Sequence, residues 1–175
     1  GDIPFTEALQ GQNCKYDDSK TVVYPGILKM LNDAIDKEAD ASAPGLLTMG
    51  VEDYIFDGDI SKWNTKSLLN CFGMFHGNHV FDGDISQWNT SAMRVMYLMF
   101  GSTTFNGDIS KWDVSNVAVM TNMFSSSRFN GDISGWDVSN VRTMDNLFDF
   151  NPQFKGDLSR WDTRNVENMN SMFGG

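Results

Sequence analysis

Apolar residues return along this chain at fixed places. In the stretch beginning at Phe105 they are Ile109, Trp112, Val114, Val117, Met120, Met123 and Phe124, with Asn106-Gly107-Asp108 between the first two. The same arrangement begins at Phe56, Phe81, Phe129 and Phe154, so the starts are 25, 24, 24 and 25 residues apart. All five tryptophans, Trp63, Trp88, Trp112, Trp136 and Trp161, fall at one phase of it. A fixed period in this range is the mark of stacked repeats, each too small to bury its own apolar face.

Two local periods alternate within each repeat. Ile109, Lys111 and Asp113 alternate with Ser110, Trp112 and Val114, which predicts a short strand with Ile109 and Trp112 on opposite faces. Val117, Met120, Met123 and Phe124 stand at i, i+3, i+6 and i+7 and predict a helix of one to two turns. Val141, Met144, Leu147 and Phe148 repeat that spacing, as do Leu68, Cys71, Met74 and Phe75. Ser115 or Asn116, and Ser139 or Asn140, are candidate N-caps, and Gly58, Gly83, Gly107, Gly131 and Gly156 mark a turn back into the strand. The expected fold is an α/β repeat solenoid of five coils, each a short strand plus a short helix. Burying one Trp per coil removes about 150–250 Å² from water, roughly 4–6 kcal/mol before entropy is subtracted.

Before the repeats, residues 1–24 read as irregular. Ile27, Met30, Leu31, Ala34 and Ile35 then form one apolar stripe, with Pro25 in the first turn and Ala43-Pro44-Gly45 as the stop. This predicts an amphipathic helix, in a 25–55 capping and lead-in segment ahead of a 56–175 repeat array. A membrane-surface helix is the rival, but its polar face would be basic, and here Asp33, Asp36 and Asp40 dominate.

Charge narrows the partners. The formal net charge is -10, with -6 in residues 1–55 and -4 in the repeats. Such acidity disfavours phosphate backbones and anionic membranes, and no apolar run is long enough to span a bilayer. Cys14 and Cys71 make no metal spacing and leave a single bridge open as an alternative. The chain starts at Gly1 without a signal-peptide pattern, which favours an exported, cell-surface or organellar location over an untouched cytosolic one. After Met172-Phe173 only Gly174-Gly175 follow, so the sequence points to an open C-terminal end, covered by more chain or by another subunit.

The consensus Phe-Asn-Gly-Asp-Ile-Ser-x-Trp-Asp-Val-Ser-Asn-Val-x-x-Met-x-x-Met-Phe resembles the repeat of the BspA-like bacterial surface protein 26-residue family, which is related to leucine-rich repeats. The resemblance covers residues 56–173. It implies a right-handed solenoid used for protein contacts, with no catalytic residues. The first repeat departs from it at Lys66-Ser67-Leu68 and at His76-Gly77-Asn78-His79, and a distorted coil is expected there.

Candidate chemistry is sparse. Asp59, Asp84, Asp108, Asp132 and Asp157 form an acidic column that either ligates calcium or accepts backbone N–H groups in Asx-type turns. The second reading fits better, because little but Ser and backbone is near to complete six to eight oxygens. The column Asn64, Asn89, Asp113, Asp137 and Asp162 also fits turn bonds. His76 and His79 have two-ligand spacing without a clustered third group. Contact candidates are the exposed positions that break the period: Lys62, Gln87, Lys111 and Arg160, then Arg94 and Arg142, and Phe150, which lies outside the usual phase. Met172 and Phe173 join them at the C-terminal end. No cofactor or metal is expected, nor an enzyme. The expected role is a protein-interaction scaffold, docking on subunits of a larger assembly through that end or an exposed repeat face. A cell-surface adhesin module is the alternative.

Overall fold

A computed structural model describes residues 3–4, 59–66, 68–69, 71 and 73–175. Among these residues there is no helix, and the only named strands are a parallel pair, β1 (Ile3–Pro4) and β2 (Trp63–Asn64). The expected α/β solenoid of strand-plus-helix coils is therefore not formed, and the leucine-rich-repeat likeness falls with it. The amphipathic helix expected after Pro25, its lead-in and Cys14 lie outside the described residues.

Turns take the place of both elements. In the third repeat the Trp112 N–H donates to the Ile109 carbonyl (3.1 Å), Val117 to Val114 (2.9 Å) and Met123 to Met120 (3.1 Å). These are bonds between residues three apart, the closure of a β-turn. The predicted strand residues Ile109 and Trp112 are the two ends of one turn, so both are buried instead of lying on opposite faces. A left-handed residue stops the predicted helix. Gly73, Leu98, Asn122, Asn146 and Ser171 occupy one phase with φ of +56°, +58°, +57°, +54° and +49°. Each sits third in a turn, the place where a type II turn needs positive φ. Four residues on, Gly77, Ser102, Ser126, Phe150 and Gly175 are left-handed again. No helix survives such a break every fourth residue. Ser115 and Asn116 accordingly cap nothing: the Ser115 hydroxyl donates to Asp113, and the Asn116 amide to the Ser91 carbonyl of the preceding repeat.

The N–H groups left over are satisfied across repeats, which therefore stack as layers. Met96, Leu98, Phe100 and Ser102 donate to the carbonyls of Val119, Thr121, Met123 and Ser125 at 2.8–3.0 Å. Isolated parallel bridges mark the column Val95, Val119, Thr143 and Asn168. The first layer keeps this register, with Cys71, Gly73, Phe75 and Gly77 donating to Val95, Tyr97, Met99 and Gly101. Among the described residues of that layer, the chain bends at the exposed His79-Val80 step.

Aromatic columns fill the core. Phe75, Phe100, Phe124, Phe148 and Phe173 stack at 5.4–5.8 Å between centroids and within 10° of parallel. The Phe that opens each repeat lies on the Phe that closes the one before, as Phe105 does on Phe100 at 4.5 Å. That ring also explains Gly107, where a Cβ would meet Phe105 at 2.7 Å. The glycine makes room for its own layer's Phe rather than turning the chain into a strand. Each described indole reaches back one layer: Trp88, Trp112, Trp136 and Trp161 donate Nε1–H to the carbonyls of Ile60, Ile85, Ile109 and Ile133 at 3.0–3.1 Å. Cys71 is a free thiol buried beside Met93 Sδ (3.6 Å). Burial pushes its pKa up.

Trp112→Ala is expected to cost about 3–5 kcal/mol. Trp112→Phe keeps a ring but leaves the Ile85 carbonyl one partner short, and costs less. Urea unfolding of the two variants against the parent checks this ordering.

Candidate functional site

The turns bring the repeated acidic residues into one exposed column. In each, Oδ1 accepts the N–H of the serine two residues on: Asp59 from Ser61, Asp84 from Ser86, Asp108 from Ser110, Asp132 from Ser134 and Asp157 from Ser159, at 2.9–3.0 Å. This is the Asx turn. The same bonds hold the carboxyl groups below the usual carboxylate range. The serine hydroxyl contributes most at Asp59 and Asp84, and the serine amide at Asp108, Asp132 and Asp157. Repulsion from Asp108 and Asp59 works the other way on Asp84 and is the smaller effect.

The second column behaves alike. Asn89 and Asp113 each accept both the N–H and the hydroxyl of a serine two residues on, and Asp137 accepts the Ser139 N–H. Among the described residues no group of three or more His, Cys, Asp or Glu is placed to hold a metal ion. His76 is half-buried, and burial, then the charge of His79, pulls its pKa down.

The contact candidates are scattered over the flanks of the stack. Lys62, Gln87, Lys111 and Arg160 are exposed, one to a layer, as is Arg94. Arg142 Nη1 pairs with Glu167 Oε1 at 3.3 Å, an exposed bridge between layers four and five. Such pairs are worth little. Met172 is half-buried, and Phe173 is 64 % exposed on the outer side of the Phe column. Phe150 is 63 % exposed and left-handed. The sequence marked it by its phase, but its backbone conformation was signalled only by the Gly and Ser at the equivalent places. Val80 and Met169 are also exposed apolar residues, and sequence reasoning did not single them out. The departure from the repeat at His76-Gly77-Asn78-His79, just before it, was the available sign for Val80.

Residues 45–128 and 103–175 each match the family described as "Mycoplasma protein of unknown function, DUF285", and together they span more than half of the chain. The chain belongs to the DUF285 family. The match does not specifically name the BspA-like repeat. Ahead of and overlapping the DUF285 region, residues 1–74 match a second family, described as "Starch-binding associating with outer membrane". That description fits a surface-associated binding role and names no function for this chain. No curated protein and no solved structure matches it.

The Asx column gives the DUF285 repeats an acid limit. A carboxyl group whose pKa is lowered on folding stabilises the fold fully above its unfolded value, near 3.9, and loses that contribution as pH falls through the folded value. The thermal midpoint is expected to hold from pH 7 to about pH 4 and to fall below it. Asp108→Asn combined with Asp132→Asn should flatten the fall, measured by circular dichroism melts across that range.

Proposed function

We propose that the chain is a non-enzymatic protein-interaction scaffold, an accessory module of a larger assembly at a cell surface. One observation carries the reading. The polar groups that recur from layer to layer are engaged in holding the layers: Asp and Asn in turns, indole N–H on the preceding layer, Asn116, Asn140 and Asn165 on the carbonyls of Ser91, Ser115 and Ser139. What differs between layers is the exposed flank, where Lys62, Gln87, Lys111 and Arg160 stand in register. A catalytic set would have to come from groups the stack does not use, and no such set stands out among the described residues. The match of residues 1–74 to a family described as associating with outer membrane supports the surface assembly. No helix of the described residues is long and apolar enough to cross a membrane.

The test is native size in a gentle detergent extract of the source, by gel filtration with mass spectrometry of the fractions. The chain is expected in a large particle. Lys62→Glu, Lys111→Glu and Arg160→Glu together should release it while moving stability by no more than about 0.5 kcal/mol per site. Elution of the parent chain as a monomer sinks the scaffold.

A second reading is a surface adhesin module that binds glycan, favoured by the word starch-binding in the description of the family matched by residues 1–74. In its calcium-stabilised form the acidic column would take up calcium. Its serine-bonded Oδ1 atoms argue against that, and millimolar calcium is expected to leave the thermal midpoint unmoved. A large rise would favour the adhesin.

A further inference from the structure

Two sets of asparagines recur in the stack, and their carboxamides are used in opposite ways. Asn116, Asn140 and Asn165 are each followed by Val. Each donates Nδ2–H to a carbonyl of the preceding layer, at 2.7–2.9 Å. Asn106 and Asn130 are exposed and are followed by Gly107 and Gly131. Their Oδ1 atoms accept the backbone N–H of Asn130 (2.7 Å) and of Lys155 (2.8 Å) in the next layer. Among the described residues nothing accepts from their Nδ2 groups, nor from the N–H of Gly107 or Gly131. The packing demands these two glycines, since a Cβ at either would meet the ring of Phe105 or Phe129 at 2.7 Å.

Each of these features favours one reaction. A backbone nitrogen can add to the side-chain carbonyl carbon of the residue before it, and a glycine has no Cβ to hinder the approach. The Gly107 N–H has no hydrogen bond to give up first. The N–H that Oδ1 accepts stabilises the negative charge that grows on this oxygen during the addition. The unbonded Nδ2 is free to depart.

We propose that Asn106 and Asn130 are sites of spontaneous covalent modification, closing to cyclic imides that open to aspartate or isoaspartate. At Asn106 the bond from Gly107 N to Cγ forms and the Cγ–Nδ2 bond breaks. The Gly107 proton and the Nδ2 group leave together as ammonia. Water then opens the ring, and nothing is oxidised or reduced. Opening at Cγ leaves aspartate, the residue type already present at the equivalent Asp57 and Asp82. Opening at the main-chain carbonyl leaves isoaspartate, whose backbone runs through Cγ and is one methylene longer. Gly107 then moves from its place beside the Phe105 ring, and the layer loosens. The stack therefore carries a chemical clock at the two places where its packing requires Asn to be followed by Gly.

The test is peptide mapping of the whole folded chain after long incubation at mildly alkaline pH. Tryptic cleavage at Arg94, Lys111, Arg128 and Arg142 gives peptide 95–111, with Asn106 as its one asparagine, and peptide 129–142, with Asn130 and Asn140. Exchange of NH2 for OH, read by mass, is expected at Asn106 and Asn130 at least about tenfold faster than at Asn140. Asn106→Gln, which would have to close a larger ring, should stop the change in peptide 95–111 and leave Asn130 converting. If that variant does not fold, the comparison with Asn140 in the parent chain still decides. The isoaspartate fraction, separated by ion exchange, should melt below the aspartate fraction. Conversion only when the chain is held in urea overturns the proposal, because the layers then protect both sites. Equal conversion of Asn140 overturns it as well, since nothing would then distinguish Asn106 and Asn130. Equal melting of the two fractions removes the clock.

Discussion

Alternate backbone amides decide this structure. In the segment around Met96 to Ser102, one N–H closes a turn within its own layer and the next reaches the carbonyl of the following layer. The donors that reach across, Met96, Leu98, Phe100 and Ser102, have no partner unless a second layer is present, and an unpaired buried amide is costly. The layers consequently stand or fall together. The Phe columns add apolar burial along the same axis, and no buried side-chain nitrogen or oxygen among the described residues is left without a hydrogen bond.

The inside of this stack was legible in the sequence, and its backbone was not. The repeat phase named Val117, Met120, Met123 and Phe124 as core, and all are buried, as are both Ile109 and Trp112, which it placed on opposite faces. The spacing of the first four was read as helix because residues three apart share a face in a helix. They also do so when each pair closes a turn. Val117, Met120 and Met123 step by three residues without a four, and on an α-helix each such step falls about 60° short of a full turn. The second sign was Gly73, Asn122 and Asn146 at one phase, the residue types that tolerate a left-handed backbone. Leu98 and Ser171 at the same place hid it. The strand reading of Ile109 to Val114 failed similarly: alternation assigns faces only in an extended chain, and the Trp112 to Ile109 bond closes a turn there instead.

For the candidate sites, legibility followed the length of the interaction. The Asx turns of Asp108 and Asp132 span two residues, so local sequence sufficed to favour them. The indole bonds to Ile carbonyls one layer away were invisible, since they depend on register between layers. The exposure of Phe150 was suggested by its odd phase, but its strain depends on a backbone set by layers on both sides. Lys62, Lys111 and Arg160 could be placed outside the core, and no pattern in one sequence says what meets them.

The direction of the tryptophan bonds has a consequence for how the molecule is made. Trp112, Trp136 and Trp161 donate to layers that come earlier in the chain, as do the amide groups of Asn116, Asn140 and Asn165. During synthesis the N-terminal part emerges first. Each new repeat leaving the ribosome therefore brings the layer before it both an indole for its Ile carbonyl and the backbone carbonyls that its unpaired amides lack. Every layer is completed from its C-terminal side.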